Sequence, residues 1–104
     1  MQTFDLRSLA KFSDERFQSV PVFREESQRG ILLCLKAGQS VPEHGADGTV
    51  IVQVLEGSIV FYADTTPADL AVGGMLRIQA GKKHRLDAKT DAIVFVIISK
   101  LADL

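Results

Sequence analysis

The sequence predicts an all-β fold. Short apolar runs alternate with turn residues over most of the chain, at the spacing typical of β-sandwiches and barrels. Helical periodicity is confined to residues 5–16, where Leu6, Leu9 and Ala10 fall at helical spacing without capping residues. A length of 104 residues leaves room for one domain. We therefore predict a single β domain over residues 1–104, with residues 1–19 peripheral to it.

About ten short strands are predicted beyond the N-terminal segment. Pro21 in the first strand indicates a sheet edge, because proline cannot donate to a β-ladder. Gly38 ends the second strand, Gly57 separates two later ones, and the DTTP sequence at 64–67 is interpreted as a loop. So many short strands favour two packed sheets or a closed barrel. The predicted strands are 20–24, 30–36, 40–44, 49–55, 58–63, 68–72, 75–78, 84–88 and 92–99.

Composition narrows the classes of partner. The formal net charge of −1 gives no field that would favour nucleic acid or an anionic membrane. The longest apolar run, residues 92–98, is far shorter than a membrane span, and the N-terminus lacks the features of a targeting segment. We expect a cytoplasmic protein. Cys34 is the only cysteine, so no internal disulfide can form, and we expect its thiol to be buried in the core.

The middle of the chain carries two patterns of glycine and histidine. Gly38, then five residues, then His44, with Gly57 thirteen positions later, is the first; Gly73, Gly81 and His84 form the second. Both resemble the motifs of the cupin superfamily, G-x5-H-x-H-x3-E-x6-G and G-x5-P-x-G-x2-H, without a gap. The resemblance implies a small RmlC-like cupin, a jelly roll also described as a double-stranded β-helix, with the two motifs on neighbouring strands.

The resemblance also implies a metal site, and this chain departs from it. Ala46 stands where the family has its second histidine and Val50 where it has the glutamate, while Gln79 replaces a proline that is not a ligand. The complete set of three imidazoles and one carboxylate would hold iron, manganese, nickel or zinc. His44 and His84 alone are a weak site for such ions. We therefore predict a degenerate metal site.

Three nearby residues are candidates to replace the missing ligands: Glu43, Asp47 and Gln53. Strand alternation places the side chain of Glu43 on the face opposite to that of His44. Gln53 is out of phase with Val50, so we expect its side chain to point away from the interior. Asp47, in the GADG turn, could fold back towards the histidines, although aspartate in such a turn usually serves turn chemistry. The basic run 82–85 is either a solvated loop or the rim of a site that attracts an anion.

Two functions remain open. In the first, the barrel binds a small molecule, an anionic one included, with His44 and His84 as polar anchors among apolar positions such as Ala46 and Val50. In the second, the protein is a metal-dependent dioxygenase, isomerase or lyase that uses His44, His84 and an unidentified ligand. Fold cannot decide between them. The resemblance and the long apolar strand 92–99 also predict a homodimer.

Overall fold

The computed structural model describes residues 1–100, and these form nine strands and one short 3-10 turn, Arg7–Leu9. No helix in this part of the chain has the length and apolar character needed to cross a membrane. The strands are β1 Gln18–Arg24, β2 Gln28–Leu35, β3 Ser40–His44, β4 Thr49–Glu56, β5 Ser58–Ala63, β6 Thr66–Ala71, β7 Met75–Ile78, β8 His84–Ala88 and β9 Ala92–Ser99.

The strands form two antiparallel sheets in a jelly-roll arrangement. The larger sheet has the order β1-β2-β9-β4-β7 and the smaller one the order β3-β8-β5-β6. Pro21 lies on β1, at the edge of the larger sheet, as its sequence predicts. The two sheets are packed against each other without closing into one continuous barrel, so the first of the two predicted arrangements is the observed one.

The main core lies between the sheets and follows strand alternation. On β4 and β9 the even-numbered side chains face the smaller sheet. Phe61 and Leu86 of the smaller sheet meet them from the other side. This arrangement fixes which residues can line any cavity between the sheets. The buried core residues of the larger sheet include Leu35, Val50, Val52, Val54, Ile78, Val94 and Val96.

A second apolar cluster covers the opposite face of the larger sheet. Leu32, Cys34 and Ile93 form its buried part, and the N-terminal segment packs onto them through Leu6 and Leu9, among others. Cys34 is fully buried, as predicted. The apolar spacing in residues 5–16 therefore produces one 3-10 turn and an extended strap rather than a helix. The strap is held by sheet contacts, whereas a helix this short and uncapped has little stability of its own.

Within residues 1–100, the glycines with positive φ are the four glycines of the two motifs. Gly38, Gly57, Gly73 and Gly81 have φ between 77° and 87°. Gly57 is also sterically constrained, because a Cβ there would lie 2.0 Å from the carbonyl oxygen of Asp91. The motifs therefore mark backbone turns that a residue with a side chain would strain.

Strand β6 differs from its prediction, because it begins at Thr66 within the predicted loop. Ala63 pairs with Thr66, which leaves a two-residue hairpin turn with Asp64 at φ 52°. Pro67 is compatible with this strand since β6 is the edge of the smaller sheet.

Candidate functional site

A cavity of about 370 Å³ opens between the two sheets. Its walls are mostly apolar, with Val52, Val96 and Ile98 from the larger sheet and Phe61 and Leu86 from the smaller one. The four predicted site positions, His44, Ala46, Val50 and His84, all line it. Alternation and the motif register are therefore sufficient to place these positions on one cavity.

The two histidines meet as cross-strand partners. His44 is the last residue of β3 and His84 the first of β8, and they lie opposite each other in the antiparallel pair. Their ring centroids are 4.3 Å apart with an interplanar angle of 66°, an edge-to-face contact. A register irregularity between Val41 and His44 precedes this pair. Residues forty positions apart in sequence thus share one site.

The histidines differ in burial. His84 is only 6% exposed and stacks on Phe61, with ring centroids 5.6 Å apart. His44 is exposed. His84 therefore belongs to the wall of the cavity, and His44 lies on its solvent side.

Both imidazoles are oriented by a carbonyl two residues earlier. His44 Nδ1 lies 2.8 Å from the carbonyl oxygen of Pro42, and His84 Nδ1 lies 3.1 Å from that of Lys82. A carbonyl oxygen can only accept, so each Nδ1 carries the hydrogen and donates it. In the neutral rings Nε2 then keeps its lone pair. No buried side-chain nitrogen or oxygen within residues 1–100 lacks a hydrogen-bond partner, so the Nε2 of His84, which has no such partner there, is not fully enclosed.

Burial lowers the pKa of His84 below its ordinary value of 6.5. The Lys82 carbonyl opposes this shift because it stabilises the protonated ring, and the neighbouring His44 adds a smaller lowering effect. At neutral pH His84 is therefore a neutral hydrogen-bond acceptor at Nε2.

The two positions without a ligand side chain present methyl groups to the cavity. Val50 is 3% exposed and Ala46 is half-buried against the main core. The backbone N–H of Gly81 donates to the carbonyl of Ala46 at 2.9 Å, which joins the two motifs. The site thus combines two imidazoles with apolar groups where the cupin motif has its other two ligands.

No third ligand accompanies the histidines in the described part of the chain. Residues 1–100 contain no group of three histidine, cysteine, aspartate or glutamate side chains that could hold a metal ion. Asp47 does not line this cavity and instead pairs with Lys100 at 2.7 Å. Two imidazoles fall short of the three protein ligands typical of catalytic zinc sites. The donor set does not fit a tightly held divalent metal.

The basic run 82–85 contributes one side chain to the cavity besides His84. Lys82 lies 3.9 Å from Asp64, and the Arg85 guanidinium contacts Asp87 at 3.6 Å and the Tyr62 ring at 4.2 Å. Arg85 lines the cavity together with His84, although alternation predicted that it faces the opposite side, and the two partners of its guanidinium, Asp87 and Tyr62, do not line the cavity.

Sequence reasoning missed Arg29, which lines the cavity from β2. Strand alternation indicates the face on which Arg29 lies, since position 29 is in phase with Ile31 and Leu33, which also line the cavity.

Comparison with solved structures agrees with this geometry. An RmlC-like cupin protein from Desulfovibrio desulfuricans superposes with a TM-score of 0.89 and 29% identity, over 96% of this chain and 97% of that one. A protein from Thermus thermophilus gives a TM-score of 0.89 and 28% identity, over 96% and 98%. A cupin superfamily protein from Desulfitobacterium hafniense gives 0.85 and 22%, over 94% and 90%, and at this identity the likeness concerns the fold alone.

No family model and no curated protein sequence matches the chain. The fold and the structural matches nevertheless agree with the two motifs. The chain has the fold of the small RmlC-like cupin proteins, as those motifs predicted.

Proposed function

We propose that this small cupin-fold protein binds a small molecule in the cavity between its sheets, with His44 and His84 as polar anchors and without a tightly held metal. The observation that carries the proposal is the paired imidazoles, each with Nδ1 donating to a carbonyl and Nε2 left as an acceptor. They are set in an otherwise mostly apolar wall. A few fixed polar groups in an apolar concavity are the usual composition of a ligand site.

The size and chemistry of the cavity limit the ligand. Its volume of about 370 Å³ lies at the small end of the roughly 300 to 1,000 Å³ common for ligand sites. Valine, leucine and isoleucine side chains favour an apolar body, because burying apolar surface contributes about 25 cal/mol per Å². Two adjacent Nε2 acceptors favour a hydroxyl or N–H donor on the ligand.

A fragment screen tests the proposal, with the imidazole NMR signals as the readout. The chain has only two histidines, so each signal reports on the site directly. We expect small molecules with an apolar body and one donor group to shift the His84 signal at millimolar concentration. Ala46→Phe, which fills the cavity, should abolish the shifts, whereas Gln53→Phe, at an exposed position on β4, should not. Fragments that bind both variants equally would contradict the proposal.

A metal-dependent cupin enzyme, of the dioxygenase, isomerase or lyase kind, is the second candidate. One observation favours it: metal-bound histidines characteristically donate their other ring nitrogen to a carbonyl or carboxylate, as both imidazoles do here. The absence of a third ligand side chain within residues 1–100 argues against it. Iron, manganese, nickel or zinc would then be held weakly, by His44, His84 and a further group.

Elemental analysis of protein purified without a metal-chelating tag separates the two candidates. We expect less than about one third of an equivalent of any transition metal per chain, because two imidazoles do not retain an ion through purification. A near-stoichiometric metal content that disappears in His44→Ala would favour the enzyme. The homodimer and the cytoplasmic location remain predictions, and light scattering in solution tests the first.

A further inference from the structure

Arg29 occupies the rim of the cavity on the larger sheet. It lies on β2 opposite Ile98 of β9, and it lines the cavity together with Ile31 and Leu33 of its own strand. The arginine is exposed, whereas the two aliphatic residues are half-buried. The β2 wall therefore changes from apolar to cationic towards solvent.

Arg29 is the cavity cation with the fewest competing partners. The other arginine that lines the cavity, Arg85, is engaged by Asp87 and Tyr62 outside it. None of the ion pairs within residues 1–100 includes Arg29. Arg29 also lines a second, polar cleft together with Glu25, Glu26 and Asp47. The pKa of Asp47 is lowered chiefly by the hydrogen bond from Lys100, and Arg29 has the smallest effect on it.

The opposite rim carries one negative charge. Glu43 of β3 is exposed and also lines the cavity. A carboxylate there disfavours a ligand with two negative charges more than a ligand with one. On this argument we expect a single carboxylate to suit the rim better than a phosphate.

We infer that the ligand is a small monocarboxylate whose apolar body also carries a hydroxyl or N–H donor for the imidazoles, and that Arg29 binds its carboxylate at the cavity mouth. This inference rests on the proposed function and adds the chemical class of the ligand. The planar guanidinium can donate two parallel hydrogen bonds to a carboxylate. Because the rim is exposed, the carboxylate remains partly hydrated there and avoids the large cost of burying a charge. The apolar body then lies against Ile31 and Leu33.

Three probes of six carbons each test the inference: hexanoate, 1-hexanol and hexylammonium, titrated at low salt and followed by the His84 imidazole signal. We expect hexanoate to bind about fivefold more tightly than hexanol, the difference of roughly 1 kcal/mol that an exposed charge pair provides. Hexylammonium should bind most weakly. Arg29→Gln should bring hexanoate to the level of hexanol. Arg24→Gln is the matched control, since Arg24 faces Arg29 across β1 and β2 but does not line this cavity.

The outcomes distinguish this inference from the proposed function. If hexanol and hexanoate bind equally and Arg29→Gln changes neither, the carboxylate assignment is wrong while ligand binding in the cavity stands. If Arg24→Gln weakens hexanoate as much as Arg29→Gln does, general charge is responsible and the assignment to Arg29 is wrong. If none of the three probes binds, the inference is wrong; the fragment screen then decides the proposed function separately.

Discussion

Restoring the two missing ligand side chains, by Ala46→His and Val50→Glu, is predicted to create a measurable metal affinity. Both positions line the cavity that contains His44 and His84. The double variant would place three imidazoles and one carboxylate around a single space, which is a sufficient donor set for zinc or nickel.

The same substitutions should destabilise the protein in the absence of metal. Val50 is 3% exposed, and losing a buried valine removes about 2 kcal/mol of apolar stabilisation. A neutral carboxyl buried there without a partner costs about 1 to 3 kcal/mol more. The sum of about 3 to 5 kcal/mol corresponds to a fall in melting temperature of at least 12 °C or so. Metal at about one hundred times its dissociation constant returns about 2.7 kcal/mol.

Thermal denaturation with and without zinc measures both effects, and Ala46→His with Val52→Glu is the matched control. Val52 is 1% exposed, lies on the same face of β4 and lines the same cavity, but it is not a ligand position of the cupin motif. We expect zinc to raise the melting temperature of the first variant by about 10 to 20 °C and to leave the control unchanged. A folded first variant without a zinc response, or an equal response in the control, would refute the placement of these positions.

Two further predictions concern stability. Because burial lowers the pKa of His84 from 6.5, the unfolded chain binds its proton more readily than the folded chain. The free energy of unfolding should therefore be highest above about pH 6.5 and fall as the pH decreases below that value. Denaturant unfolding at about pH 7.5 and about pH 5.5 measures the difference. A rise on acidification, or the same fall in His84→Gln, would contradict the assignment to His84. Gly57→Ala should cost about 3 kcal/mol or more, because its φ is 77° and its Cβ would lie 2.0 Å from the Asp91 carbonyl oxygen. Gly38→Ala, at φ 87° with open space around it, should cost only about 1 kcal/mol, and equal midpoint shifts in urea would show that the close approach is irrelevant.

Most strands could be predicted from the sequence because their side chains alternate or lie in apolar runs. Strands β4 and β9, with Val50 and Val94 in the core, were predicted almost to the residue. The start of β6 could not be predicted from the sequence, because the pairing of Thr66 depends on the hairpin turn at Asp64 and on the position of β6 at the edge of its sheet. The helical spacing in residues 5–16 does not produce a helix, because apolar spacing in a short segment fits a strap on a sheet equally well.

The site was predictable where register determines it. The motif spacing placed His44 and His84 together, although they are not adjacent in sequence. The orientation of their rings was not predictable, because it depends on carbonyls of the backbone before each histidine. Nor was the role of Arg29 evident, because alternation gives the face of a strand but not which end of the strand lies at the cavity mouth.

The reactivity of the Cys34 thiol can report on local detachment of the N-terminal strap. The thiol is fully buried in the cluster that the N-terminal strap covers, burial raises its pKa, and a backbone hydrogen bond from Lys11 partly opposes this shift. A thiol reagent can therefore react only after the strap detaches or the whole protein unfolds. The rate of modification, followed against denaturant, measures the free energy that attaches residues 1–17 to the sheet separately from the stability of the jelly roll.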